Sequence, residues 1–327
     1  MHYIGSKEKL LHFLQTQIEA HVPNLSQASF CDLFSGSGRV STHFQTLGCH
    51  ITCNDVEYYS YVLNRAYLTT DTLEGYETQL DTLNALAPIK GFIAEHYAPM
   101  GRMKRHYFSN ANAMKIDAIR MMIEAWYQQQ YINETRYLLL LATLIIAVTY
   151  ISNTASIYSA YLKSLKKSAL QALQLEPLHI TPDHTKHQVY RDDANQLIHH
   201  LKGDILYLDP PYNLRQYGAN YHLLNTIAHY KPFVPKGKTG LPEYYSSAYS
   251  RQKDAKMALK QLLEHANFKY IFLSYNSDGI INNHDITGIL QPLGTYEMLQ
   301  QEHKRFNSKN ATCKSYKTTE YLHILKR

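Results

Sequence analysis

The stretch Leu206–Asn213 reads Leu-Tyr-Leu-Asp-Pro-Pro-Tyr-Asn, setting a carboxylate, two prolines and an aromatic ring side by side. The apolar run Ile205–Leu208 has the length and composition of a buried parallel strand, and Pro210 and Pro211 cannot continue a sheet ladder. Asp209 and Tyr212 are therefore delivered at the carboxyl end of a strand, where open α/β sheets bind their ligands. The rigid Pro-Pro pair fixes the backbone between them, so its carbonyl oxygens serve as aimed acceptors. A planar ring carrying an amino group suits such a pocket. Tyr212 would stack on its face while Asp209 and the Pro210 carbonyl accept from its amine. The plainer alternative is a strand end closed by a Pro-Pro turn with a packed tyrosine.

A second constellation lies near the start of the chain. Ala28–Phe34 is a strand candidate that runs into Ser35-Gly-Ser-Gly, then a helix over Arg39–Leu47 stopped by Gly48. A further strand, Ile51–Asn54, ends in Asp55. In a strand, glycine turn, helix, strand unit the glycines let the backbone approach a ligand closely, and the terminal acid binds ribose hydroxyls. The spacing is not Gly-x-Gly-x-x-Gly, which weakens a dinucleotide reading. Before both, Gly5-Ser-Lys7 opens a helical pattern with Leu10, Leu11, Leu14 and Ile18 on one face, a helix entry suited to a negatively charged partner.

The elements around these motifs alternate as in an α/β protein except between residues 63 and 186. There Asp117–Trp126 and Glu134–Tyr150 read as helices, flanked by Gly101–Tyr107 and Tyr158–Lys167, where Arg and Lys interleave with Tyr, Ser and Asn. Such segments contact phosphates and bases, or else form solvated basic faces. Arg102, Lys104, Arg105, Lys163, Lys166 and Lys167 are the candidate phosphate contacts, joined by Arg215 and Lys238 further along. The α/β pattern resumes with Val189–Asp193, a helix over Ala194–Leu201 and the central strand. The loop with Pro232, Pro235, Gly237-Lys-Thr-Gly and Pro242 is expected to be mobile and basic, closing over a nucleic acid beside the strand end that carries Asp209. A P-loop is excluded there, because the required glycine at 232 is proline and no strand precedes it. Lys269–Tyr275 reads as a buried strand. Thr295–Leu299 and Glu320–Leu325 read as a final hairpin separated by the basic run Lys304–Lys317.

Composition sets the bounds. A chain of 327 residues with 45% hydrophobic residues has ample length for a buried core. A net charge of +6, 28 Tyr and 18 His suit a nucleic-acid surface better than a membrane. Four cysteines (Cys31, Cys49, Cys53, Cys313) are too few for a disulfide scaffold, and Cys49-x-x-x-Cys53 lacks a second ligand pair at zinc spacing. No metal is expected. The N-terminus has no signal-peptide pattern and Tyr137–Val148 is too short to span a bilayer, so a cytoplasmic protein is expected.

Taken with their order, these motifs resemble a known family. Asp209-Pro-Pro-Tyr212 resembles the catalytic motif of amino-group methyltransferases that use S-adenosylmethionine, particularly those acting on the exocyclic amine of adenine in DNA. Asp32-Leu-Phe-Ser-Gly-Ser-Gly38 resembles their cofactor motif, which assigns Asp32, Phe34, Ser35, Gly36, Gly38 and Asp55 to the cofactor. An N-terminal motif, in which an aromatic residue and a lysine four positions later flank cofactor and target, is matched by Tyr3 and Lys7. The family also carries an acid for the cofactor's adenine, matched to Asp193 rather than Asp192 with little to choose between them. The sequence is similar to the alpha group, which includes Dam, and to the type associated with the FokI and NlaIII restriction systems. Asn54–Tyr61 and Arg215–Tyr217 with Asn220–Leu224 carry the likeness as well.

The resemblance implies a Rossmann-like, seven-stranded class I methyltransferase sheet with an inserted, mainly helical target-recognition domain. It places the catalytic domain at 1–62 and 187–327 and the insertion at 63–186. It implies S-adenosylmethionine as cofactor, a flipped adenine in double-stranded DNA as substrate, and a cognate restriction endonuclease as functional partner. Two rivals remain: an RNA amino-group methyltransferase, which would generally lack so large an insertion, and a non-catalytic DNA-binding module on the same fold.

Overall fold

A computed structural model of the chain describes residues 7–304 and 317–327. Tyr3, Cys313 and all but the ends of the basic run Lys304–Lys317 lie outside them. Seven strands are present among the described residues: β1 (Ser29–Asp32), β2 (His50–Asn54), β3 (Gln188–Tyr190), β4 (Lys202–Leu208), β5 (Asn267–Asn276), β6 (Thr295–Lys304) and β7 (Lys317–Lys326). They form one sheet in the order β3-β2-β1-β4-β5-β7-β6. β3, β2, β1, β4 and β5 run parallel, while β7 is antiparallel to both β5 and β6. The order reverses between β1 and β4, the switch point at which such sheets bind ligands. This is the seven-stranded, mostly parallel sheet that the resemblance implied.

The chain divides into two compact units. The α/β unit comprises Lys7–Val56, His187–Gln216 and Tyr245–Arg327. Its central strand is β4, whose Ile205–Leu208 are buried as the unbroken apolar run demanded. Leu206 and Leu208 pack with Cys31, Leu33, Ile271 and Leu273 from the neighbouring strands and with Leu259, Leu262 and Leu263 of the helix Ala255–His265. At roughly 25 cal/mol per Å² of apolar surface, this double-sided burial is what holds the motif-bearing strand ends in register.

The helical unit contains Glu57–Lys186 and Tyr217–Tyr244. Its core is separate and is built around the helix Glu134–Ile151, whose Leu138–Leu141 are buried. That helix is long and apolar enough by composition to cross a membrane, but 72% of it is buried inside the protein. Burial on every side accounts for its lack of a polar face. The helix Asn110–Gln128 packs on it and starts at a Ser109 N-cap that accepts from the Asn112 amide. The helix His222–His229 contributes Leu223, Leu224 and Ile227 to the same core. The compact helical unit is therefore larger than residues 63–186, since 217–244 pack into it.

The loop before residue 244 departs from expectation. Its carbonyls are held in succession: Arg105 donates to Gly237 O and Lys238 O (3.0 and 3.1 Å), the His222 Nε2 lies 3.2 Å from Thr239 O, and Tyr97 donates to Gly240 O (2.6 Å). A paired Lys236–Leu241 bridge closes it. Gly240, at φ 75°, leaves no room for a Cβ, which would stand 2.9 Å from Tyr97 and 3.0 Å from Arg105. In place of the mobile flap expected from its prolines and glycines, the segment is an anchored hairpin of the helical unit.

Asp117 is the other polar keystone there. Fully buried, it accepts from the amides of Gly91, Ile93 and Ala94 at the start of the helix Phe92–Tyr97, and from the Tyr230 hydroxyl (2.6 Å). Asp117→Ala strands those donors in the core and should cost about 2–4 kcal/mol. Chemical denaturation checks this, with Asp117→Asn, which keeps one acceptor oxygen, expected to lose less.

Candidate active site

The glycine turn after β1 is shaped by its residues in sequence. The Ser35 amide and hydroxyl both donate to Asn54 O (2.9 and 3.1 Å), tying the turn to the end of β2. Gly36 (φ 51°) and Gly38 (φ 78°) take the left-handed conformations that let the chain double back into the helix Arg39–Thr46. The Gly36 amide donates to Asp55 Oδ2 (2.9 Å), so the acid expected for the ribose sits against the turn. Phe34 is half-buried, with its ring 5.1 Å from Tyr249 in an edge contact.

In the sequence Asn54 is marked only as part of a run, and the structure makes it a crosspiece. Its amide donates to Leu33 O and Asp192 O (3.2 and 3.1 Å), and its Oδ1 accepts from the Asp192 amide (2.9 Å). One side chain thus fixes the ends of β1, β2 and β3 together. A buried asparagine at a strand end is the signal that sequence offered for it.

Asp32 closes the floor of the turn. Its Oδ2 accepts from Ser41 (2.7 Å), whereas Oδ1 is buried without a partner. Burial pushes its carboxyl up to about 7; the Ser41 hydrogen bond opposes this, and Asp209 and Asp55 add to it. An orphaned carboxylate oxygen beside a glycine turn is a position for a donor such as an ammonium group. The residues present therefore fit an amino-acid-bearing cofactor.

Asp193, expected near the cofactor's adenine, also shapes its own surroundings. Its Oδ1 caps the helix Ala194–Leu197 by accepting from Asn195 and Gln196 amides (2.9 and 3.2 Å), and Oδ2 accepts from the Tyr245 hydroxyl. Asp192 keeps an exposed side chain on a backbone clamped by Asn54.

The Asp-Pro-Pro-Tyr segment follows β4 as expected. The Tyr212 carbonyl accepts from the Ile280 amide (2.9 Å), and its ring makes an edge contact with Tyr275 at 6.3 Å. Lys7 lies against the same segment: its ammonium is 2.9 Å from Asp209 Oδ1, 2.6 Å from Glu320 Oε1 and 5.9 Å from the Tyr212 ring centroid. Lys7, expected to flank cofactor and target, pairs here with these two carboxylates. Burial would lower the Lys7 pKa, yet Asp209 and Glu320 carry it well above the ordinary value. Asp209 is pushed up to about 6 by burial, held down by Lys7 and raised further by Glu320. Glu320, from β7, went unread in the sequence. Its signal was an acid in phase with the core-facing Leu322 and Ile324 of the same strand.

The basic candidates fall into three groups. Arg102, Lys104, Lys163, Lys167 and Lys238 are exposed on the helical unit, and Arg215 is exposed on the α/β unit. Arg105 is a correction: it is 2% exposed and its guanidinium donates to the carbonyls of His96, Gly237 and Lys238, so it organises the surface without presenting a charge. Lys166 is partly buried with its ammonium on Thr154 O (2.8 Å). Buried Asn153 brings the two basic segments together, donating to His106 O and Leu162 O and accepting from the Lys166 amide. Among the described residues no cluster of metal ligands occurs.

Comparison with known proteins agrees with this geometry. A family profile described as D12 class N6 adenine-specific DNA methyltransferase matches residues 3–289. The chain is 48% identical to the type II methyltransferase M.NlaIII of Neisseria lactamica over 100% of this chain and 99% of that one. It is 36% identical to M.CviAII of Paramecium bursaria Chlorella virus 1 over 94% of this chain and 92% of that one. Against M.FokI of Planomicrobium okeanokoites identity is 38% over 95% of this chain, which spans only 50% of that longer protein.

Gly36 sits at positive φ with its amide on Asp55. Gly36→Val should strain the turn and abolish cofactor binding by calorimetry while the thermal transition shows a folded protein. Normal affinity in that variant would remove the turn from the cofactor site.

Proposed function

Since the chain belongs to the D12 class of N6 adenine-specific DNA methyltransferases, we propose that Asp209, Pro210, Pro211 and Tyr212 carry out the transfer at a flipped adenine. The observation that carries this reading is Asp209 at the carboxyl end of the central strand, beside Tyr212 and paired with the buried Lys7. The enzyme uses S-adenosylmethionine, which supplies a methyl group activated by a sulfonium. Asp32, Phe34, Ser35, Gly36, Gly38 and Asp55 would hold it, with Asp192 or Asp193 at its adenine.

The target nitrogen is a poor nucleophile because its lone pair is delocalised into the ring. Asp209 and the Pro210 carbonyl accept from the two amino hydrogens and favour a pyramidal nitrogen, with the effect growing as positive charge develops there. Tyr212 stacks on the extruded base, returning about 1–3 kcal/mol of the few kcal/mol spent on flipping. As the new N–C bond forms, the methyl's bond to sulfur would break with its electron pair left on sulfur, and the nitrogen must lose one proton. An Asp209 carboxylate with a pKa of about 6 is both ionised at neutral pH and basic enough to take it.

Exposed Arg102, Lys104, Lys163, Lys167 and Lys238 form the proposed DNA surface of the helical unit, which acts as the target-recognition domain. Buried Arg105 and Asn153 fix the loops that present these charges. The relatives named type II methyltransferases favour a role in the cytoplasm as the protective partner of a restriction endonuclease that reads the same sequence.

Asp209→Ala should lower single-turnover methylation about a hundredfold or more with cofactor affinity retained. The wild-type rate should fall as the pH drops through about 6 and the carboxylate protonates. Mass spectrometry of nucleosides from the product duplex should show adenine methylated on its amino group. Full activity in Asp209→Ala, or methylated cytosine alone, would overturn the assignment.

If the exposed lysines contact phosphates, the slope of log affinity against log salt should flatten by about 0.9 for each one removed. Lys163→Ala with Lys167→Ala should therefore flatten it by roughly 1.8. Arg105→Ala should instead lower the melting temperature, because it releases the 236–241 hairpin.

A further inference from the structure

The Lys7 ammonium is held from two sides, and only one of them belongs to the catalytic motif. Glu320 on β7 accepts from Lys7 at 2.6 Å through Oε1, and the same oxygen accepts from the Ser274 hydroxyl at 2.6 Å. Its second oxygen accepts from the Asn276 amide at 3.3 Å. Ser274 and Asn276 are on β5, paired with β7 in the registers Ser274↔Leu322 and Asn276↔Glu320. Glu320 is 3% exposed and Lys7 6% exposed, so neither charge is solvated and each needs the other. The packing of β7 alone would be served by an apolar side chain at this position.

We infer that Glu320 is a positioning residue for the methyl transfer, seating the Lys7 ammonium against Asp209 so that the catalytic carboxylate keeps its charge and its aim. The inference rests on the role of Asp209 in the proposed transfer. Among the described residues, the groups facing Asp209 are Lys7 from the first helical turn, Asp32 at the end of β1, Tyr207 on β4, Tyr212 after it, and Glu320 from β7. Of these only Lys7 is cationic. Without it, Asp209 would be a buried carboxylate beside two others, and protonation would deprive it of acceptor capacity at neutral pH. Glu320 acts in opposite senses through its two effects. Its geometry holds the cation that Asp209 needs, while its charge raises the Asp209 pKa.

The two effects separate by substitution. Glu320→Gln keeps an oxygen for Lys7 and Ser274 but removes the like charge, so the acid limb of the single-turnover rate should move to lower pH. Glu320→Ala removes the anchor and should lower the rate roughly ten- to a hundredfold, as a small misplacement of a catalytic group does. In a Lys7→Met background the Glu320→Gln change should restore part of the lost rate, since the repulsion of Asp209 by Glu320 is then no longer offset by a cation. The full-length protein is used throughout, with cofactor titration establishing that each variant is folded.

An unmoved acid limb in Glu320→Gln would overturn the inference. So would equal losses from Glu320→Gln in the wild-type and Lys7→Met backgrounds, which would make Glu320 a packing residue of the hairpin. Should Glu320→Ala fail to fold, the comparison of Glu320→Gln in the wild-type and Lys7→Met backgrounds decides. Asp209→Ala run in parallel keeps the two levels distinct: activity there defeats the catalytic assignment, whereas an inert Asp209→Ala with an unmoved Glu320→Gln profile defeats only the role of β7.

Discussion

One buried cation sets the terms for the carboxyl end of the central strand. The Lys7 ammonium stands between a carboxylate at the end of β4 and another on β7, and all three groups are largely withdrawn from water. Desolvating such a set costs several kcal/mol per ion, and only close pairing with additional hydrogen bonds returns it. Ser274 and Asn276 supply those extra bonds on β5. Lys7, in the turn before the first α-helix, is thereby fastened to the strand β7 across the central strand. The arrangement also explains how a buried carboxylate at this strand end is held toward its ionised form against the cost of burial. Charge placed in low dielectric is worth more to a developing positive centre than the same charge in water.

Much of the α/β unit was legible in the sequence because its signals are local. An unbroken apolar run ending in Pro-Pro reads as a buried strand and its terminus, and β4 with Asp209 lies there. The Ser-Gly-Ser-Gly turn, the helix over Arg39–Thr46 and the strand ending at Asn54 follow from glycine placement and apolar spacing. The helix Asn110–Gln128 began several residues earlier than its apolar pattern suggested, because its start is set by the Ser109 cap.

What escaped the sequence was long-range. Glu320 meets Lys7 across the whole chain, so no spacing rule connects them. Arg105 looked identical to its neighbours Arg102 and Lys104 in a basic run. Only the fold distinguishes a guanidinium spent on three carbonyls from one left at the surface. Prolines and glycines between residues 232 and 242 signalled a loop correctly, but they carry no information about the distant donors that tie it down. Likewise the apolar face of His222–His229 showed a helix without showing which of two cores it would join.

The hairpin at 236–241 is held through main-chain oxygens: the side chains of Lys238 and Thr239 take no part in the bonds that fix its path. Its trajectory is consequently indifferent to what those two positions carry, whereas Gly240, wedged against Tyr97 and Arg105, is not. Such a segment can exchange its outward-facing chemistry by single substitutions while its course in space stays put. Divergence of surface preference there is decoupled from the stability of the scaffold that carries it.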